Sequence, residues 1–371
     1  MKNKFLLCFF IFSCAVISCI SAQHISSVRK PSGDEYWYIL KQAQNAYDSA
    51  QYGQAIMLAE NAKQKKKELA EWEGFILDQT QKNYSVRKAG DYLDDLLPVL
   101  KDKNYDEAVA IISKNLNAYG KDFFHGKFSE ICKWVDDDYI YPEADYLIGK
   151  IYKLEGESDF AYKYLTNAYN NLNRLDVPDV RYDILYELAE ISEMKDDYAN
   201  YEQKLLAVLM DDKMFTDEGF MNALVRIINQ NKIDSVQKFF LLYRSDNDIS
   251  IKALGLLNEY YSENGYSEKA LKCAALGSIA AVTKIEETLK DRLIDYSYEG
   301  FSDLLDKASL YSDIVDWGNE NDIWKLFYNL AVTSSLCSDD VFSRALLDIL
   351  AEHEPEEYWK RKSSKKLELM K

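Results

Sequence analysis

The stretch Glu143–Tyr169, EADYLIGKIYKLEGESDFAYKYLTNAY, limits the fold of this chain more than any other. Ile148, Gly149 and Tyr152 fall on one face at helical spacing, and Gly156 breaks the run. Phe160, Ala161, Tyr164, Leu165 and Ala168 then line one face of a second helix. Gly149, Ala161 and Ala168 are small enough for two backbones to approach, with Tyr152 and Leu165 filling the space beside them. The stretch predicts two short helices folded back on each other. Such a hairpin cannot bury its apolar face alone, so neighbours of the same kind are expected.

The rest of the chain offers them. Only 14 Gly and 5 Pro occur in 371 residues, which suits long helices rather than a loop-rich or all-β protein. A hydrophobic content of 47% separates the chain from disordered sequences. A helix beginning at Asp34 or Glu35 opens a first pair, Tyr36–Asp48 and Tyr52–Ala62, with Ala43 and Ala55 in the places of Gly149 and Ala161. Its second helix meets no breaker before Gly74 and can run on through Lys63–Lys67, KQKKK. Tyr92–Leu100 and Tyr105–Asn115 form a second pair, kinked at Pro98. Residues 117–142 read as an irregular insertion, after which Pro142 starts the best pair. Tyr182–Met194 with Tyr198–Val208, Asn222–Asn231 with Ile233–Tyr243, and Ile251–Ser262 with Ser267–Gly277 follow. In the first of these Tyr201 replaces the second-helix alanine. Residues 280–321 are helical without the pattern, Trp324–Leu336 and Asp340–Glu352 make a last pair, and Glu356–Lys371 is a cap helix or tail.

Two units carry a family resemblance. Ile148-Gly149-x2-Tyr152 with Ala161-x3-Leu165 resembles the L-G-x2-Y and A-x3-F parts of the tetratricopeptide repeat, although the Trp and Pro of that pattern are missing. Leu257-Asn258-x2-Tyr261 with Ala270-x3-Ala274 is similar. The anchors Ala55, Ala108 and Ala161 recur at an interval longer than the family's roughly 34 residues. The resemblance implies an all-α fold, a TPR-like right-handed superhelix of antiparallel helix pairs. It would span residues 34–279, with 280–371 as a C-terminal helical continuation and cap. Such a solenoid has a concave side lined by the first helix of each pair. Carried onto this chain, the groove positions are Trp37, Gln44 and Tyr47; Tyr146, Lys150 and Lys153; Tyr186, Glu190 and Glu193; and Lys252 and Glu259. The Lys/Asn clamp with which some members hold a C-terminal carboxylate is absent.

Residues 1–22 read as a targeting segment. Lys2 and Lys4 precede the apolar run Phe5–Ile20, and Ser21-Ala22 offers small residues for cleavage before a flexible spacer at 23–33. Val16-Ile17-Ser18-Cys19 also resembles a loose lipobox, which would make Cys19 the site of lipid attachment. An uncleaved anchor is the third reading, although the run is short for a spanning helix. Cleavage or lipidation implies export: periplasmic, lipid-anchored in the cell envelope, or secreted.

Beyond the segment, Cys132, Cys273 and Cys337 are odd in number and widely spaced, which reads as buried free thiols rather than a disulfide framework. The formal charge of −17 disfavours nucleic acid and anionic membrane as partners, so membrane contact is expected only through a lipid anchor. The basic islands Lys63–Lys67 and Lys360–Lys366 read as solvated helix faces or a frayed tail.

His125 and Cys132 are too few for a zinc site, and Asp246-Asn247-Asp248 lacks the Gly and Glu of a calcium loop. No nucleophile elbow, P-loop or dinucleotide fingerprint occurs. No metal, cofactor or catalytic residue is expected. The sequence therefore points to a non-catalytic, exported scaffold whose groove holds a protein or peptide partner in the envelope. A binding module for a small molecule or glycan is the other reading.

Overall fold

The computed structural model describes residues 35–83 and 139–370, apart from Asn231, Ile233, Ser338 and Asp339. The expected targeting segment with Cys19, the expected spacer, the pair expected at 92–115, His125 and Cys132 lie outside the described residues. Sixteen α-helices and one short 3-10 turn make up the described chain, with no strand among those residues. The all-α class is thus met.

The chain forms two compact units, which divide after Ile184, within α5. The first holds α1 (Tyr36–Asp48), α2 (Tyr52–Asn83), α3 (Pro142–Leu154) and α4 (Ser158–Asn170). α1 pairs with α2 and α3 with α4; α1 and α2 also both touch α3. α2 runs through the KQKKK segment and past Gly74, because no residue there stops it. Pro142 occupies the first turn of α3, where its missing N–H costs nothing.

After α5 (Val180–Met194), the second unit continues with α6 (Tyr198–Leu209), α7 (Lys213–Thr216), α8 (Glu218–Ile228), α9 (Ser235–Leu242), α10 (Ser250–Glu263) and α11 (Ser267–Arg292). It ends with α12 (Phe301–Ser309), α13 (Ser312–Glu320), α14 (Ile323–Cys337), α15 (Val341–His353) and α16 (Glu357–Leu369). α10 and α11 form a hairpin and both touch α14, which pairs with α15. Fully buried Phe239, Phe240, Phe301, Phe327 and Phe342 join α9, α12, α14 and α15, with Phe240 stacked on Phe301 at 4.1 Å.

Four hairpins close in the same way. The second residue past each first helix is left-handed: Ala50 (φ 56°), Gly156 (φ 80°), Asp196 (φ 56°) and Gly265 (φ 77°). In each, the next amide reaches back over the turn: Gln51 N to Ala46 O, Glu157 N to Tyr152 O and Asp197 N to Ser192 O, with Tyr266 N to Tyr261 O in the last. The left-handed residue's own amide bonds to Tyr47 O, Lys153 O, Glu193 O and Ser262 O respectively. This pair of bonds satisfies carbonyls that a helix end would otherwise leave open. Glycine adopts the conformation without strain; Ala50 and Asp196 do so at a cost.

The packing keeps one register relative to these turns. Ala43, Gly149, Ala189 and Asn258 hold equivalent buried positions in the first helices. Ala55, Ala161, Tyr201 and Ala270 hold equivalent buried positions in the second. Where the other hairpins have a small residue, Asn258 donates its Nδ2 to the Ala270 carbonyl at 2.9 Å. Tyr201 is buried, its ring edge-on to Tyr260 at 5.7 Å.

Two boundaries differ from the expectation. α11 continues far beyond Gly277, so a division after residue 279 falls inside a single helix. Gly277 is a contact residue rather than a stop: a Cβ there would meet Leu326 Cδ2 at 2.9 Å. Of the pair expected at 222–243, the first helix, α8, starts and ends earlier and the second, α9, is shorter; the unforeseen turn of α7, which Asp212 caps through the amides of Met214 and Phe215, precedes them.

Candidate functional site

α1 and α3 bring three of the groove residues together in the first unit. The Lys150 ammonium stands 4.9 Å from the Tyr47 ring centroid and 5.1 Å from that of Tyr146. Both distances lie inside the range in which a ring quadrupole attracts a cation, about 6 Å. All three side chains are half-buried, as is Lys153 one turn further along α3. Trp37 is 55% exposed on α1, its ring edge-on to Tyr38. Gln44 donates to Asp48 Oδ1 at 2.8 Å. The arrangement presents two phenol rings, an indole and a clamped cation on first helices. Large, stiff side chains of this kind anchor protein interfaces at little entropic cost.

The expected positions in the second unit behave differently. Tyr186 does not stand open: its hydroxyl donates to the Ile249 carbonyl at 2.9 Å and accepts from the Ala253 amide at 3.1 Å. Lys252 covers its ring at 5.0 Å. Tyr186 thereby fastens α5 to the first turn of α10, so its role is packing. Glu190 and Glu193 are exposed, and Glu259 forms an ion pair with Lys325 of α14.

One basic island needs correcting. Lys63–Lys67 is not merely a solvated face, because Lys66 is 1% exposed. Its ammonium lies 4.6 Å from the Tyr141 ring and 5.2 Å from the Tyr36 ring, with Asp176 Oδ1 at 3.3 Å. Lys63 reaches buried Asp145 at 2.6 Å, and Asn167 donates to the same carboxylate. Desolvation holds the Asp145 carboxyl above the usual carboxylate range even with Lys63 against it. Nearby Glu143 accepts from the amides of Asp176 and Val177 at 2.5 and 3.1 Å. The signal was present: Lys66 falls on the helical stripe that contains buried Ala59, Ala62 and Leu69. The other island lies on α16, where Arg361 and Lys365 are exposed and Lys362 covers the Trp359 ring at 4.4 Å.

Cys273 is a buried free thiol; Cys337 is free and only half-buried. Asp248 of the acidic run pairs with Lys284 at 2.7 Å. Among the described residues, no His, Cys, Asp and Glu group of three or more is placed to hold a metal ion. No described helix is long and apolar enough to cross a membrane.

No protein-family model matches the chain. It is similar to a protein of Treponema pallidum (strain Nichols) described as uncharacterized, with 27% identity over 303 residues, covering 81% of this chain and 80% of that protein.

Proposed function

We propose that this chain is an exported, tetratricopeptide-like scaffold that binds a protein or peptide partner in the cell envelope, without catalysis. Support for the repeat reading comes from four hairpins with one closing turn and one packing register. The stacking order supports it too. Both helices of one hairpin touch the first helix of another, as α1 and α2 do with α3, and α10 and α11 with α14. A right-handed superhelix built this way leaves its first helices on a concave side.

The observation that carries the binding role is Lys150 held over Tyr47 and Tyr146. The cluster is half-buried and lies on first helices, where the family resemblance places a groove. Export rests on Lys2, Lys4 and the apolar run Phe5–Ile20. Mass spectrometry of the mature N-terminus separates a chain starting at Gln23 from one acylated at Cys19.

Affinity capture from envelope extracts tests the role. Wild-type protein should retain one protein in stoichiometric amount, and a Tyr47→Ala/Tyr146→Ala variant with unchanged circular dichroism should lose it. Equal capture by both, or none by either, would remove the partner from this surface.

A further inference from the structure

The second unit contains a cavity of ≈270 Å³ formed by α6, α7, α8, α10 and α11. Its floor is apolar: Leu206, Phe215, Met221 and the Cys273 side chain. Pockets for drug-sized ligands run from about 300 to 1,000 Å³, so this one suits a smaller molecule. Burial pushes the Cys273 thiol up to about 12, which keeps it protonated and removes it as a nucleophile.

The rim carries both signs of charge, in two different states. On one side the charges are already engaged with each other. Glu202 accepts from the Tyr261 hydroxyl at 2.6 Å and pairs with Lys269 at 3.5 Å, while Lys269 covers the Tyr261 ring at 4.8 Å. The other two charges facing the cavity are Lys272 and Glu218. Neither makes a hydrogen bond or an ion pair among the described residues. Lys272 is half-buried beside the apolar floor, and Glu218 is exposed at the rim. A charge partly withdrawn from water with no counterion is poorly solvated, and a ligand that supplies one is favoured.

We propose that this cavity binds a small zwitterion with an apolar body, of the amino-acid class. The carboxylate sits on Lys272, the ammonium on Glu218, and the apolar body on Leu206, Phe215 and Met221. A plain carboxylate would forgo the attraction of Glu218, and a plain amine would leave half-buried Lys272 without a counterion. The engaged Glu202–Tyr261–Lys269 side acts as a fixed wall. The cavity belongs wholly to the second unit, so its occupancy does not rest on a partner at α1 and α3.

Isothermal titration of the full chain with L-leucine and L-phenylalanine tests this. At least one should bind saturably at one site. For leucine as the ligand, isoamylamine and 4-methylpentanoate should each bind at least about tenfold more weakly; phenethylamine and 3-phenylpropanoate are the matching pair for phenylalanine. Lys272→Met should weaken the amino acid at least about tenfold yet leave the amine unchanged. Glu218→Gln should weaken it similarly and leave the carboxylate unchanged. Leu206→Trp should fill the space and abolish binding of all three. Lack of saturable binding at millimolar concentration by either amino acid would overturn the proposal. So would Lys272→Met and Glu218→Gln proteins that bind like wild type, or an analogue with one charge that binds as tightly as the amino acid.

Discussion

Gly149 lies so close to Leu165 that a Cβ added to it would meet Leu165 Cγ at 2.6 Å and the Leu165 amide nitrogen at 3.2 Å. This contact sets how near α3 and α4 can come, and it makes glycine necessary there for lack of volume rather than for backbone freedom. Gly149→Ala should therefore cost about 1–3 kcal/mol by overpacking. Gly255, inside α10, meets nothing within 4 Å, so Gly255→Ala should instead raise stability by about 0.5–1 kcal/mol. Urea denaturation of the two variants checks the opposite signs.

The hairpin turns give a second pair of opposite signs. Ala50 and Asp196 hold the left-handed conformation that Gly156 and Gly265 hold elsewhere. That conformation costs an L-residue about 1–2 kcal/mol, which a glycine avoids at some loss of unfolded-state restriction. Ala50→Gly should raise stability by up to about 1 kcal/mol, and Gly156→Ala should lower it by about 1–2 kcal/mol. Thermal melts that ranked them the other way would mean that these turns are not equivalent.

The turns also show what was legible in the sequence. The helices were, because apolar residues recur at helical spacing and almost no Gly or Pro interrupts them. The packing register was as well, since Ala43 with Ala55, Gly149 with Ala161, and Asn258 with Ala270 are small or compact pairs at one interval. Ala50 and Asp196 were not, because only glycine takes the left-handed conformation without strain, so other residues give no sign of it in a sequence. Gly277 misled in the other direction: a small residue against Leu254 and Leu326 reads in sequence like a helix stop. Tyr186 resembles any half-exposed groove aromatic until Ile249 and Ala253 are seen beside its hydroxyl. The cavity could not be read at all, since Glu218 and Lys272 come together only through the packing of α8 on α11.

The Lys63–Asp145 ion pair joins α2 to α3, with Asp145 1% exposed. Removing Lys63 leaves a carboxylate inside the unit with, among the described residues, only Asn167 to donate to it. Lys63→Ala should cost about 2–3 kcal/mol, less than for a fully enclosed pair because Lys63 keeps some contact with water. Lys63→Met combined with Asp145→Asn should recover most of the loss. A double-mutant cycle reads the coupling, and additive losses would contradict it.

Glu354 caps the end of α15 with its side chain 3% exposed and, among the described residues, no hydrogen bond to either carboxylate oxygen. Burial pushes its pKa well above the usual carboxylate range. Between the unfolded value of about 4.3 and the raised native one, the folded chain holds a proton that the unfolded chain has released. Stability contributed by this group is therefore present at low pH and falls as pH rises through that window. Glu354→Gln should be more stable than wild type near pH ~7 by about 1–3 kcal/mol, with the gap closing toward pH ~4. Denaturation at several pH values checks this; a gap that widened on acidification would reverse the sign.

Photo-crosslinking in the native cell tests the scaffold role most directly. Benzoylphenylalanine is placed at Gln44 and Lys153, which share first helices with the Tyr47–Lys150–Tyr146 cluster, and at Met57, which is 62% exposed on α2. A scaffold that binds through this cluster gives one discrete adduct with another envelope protein from positions 44 and 153 and none from position 57. An adduct from position 57 alone, or none from any position while the protein is folded and exported, would contradict it.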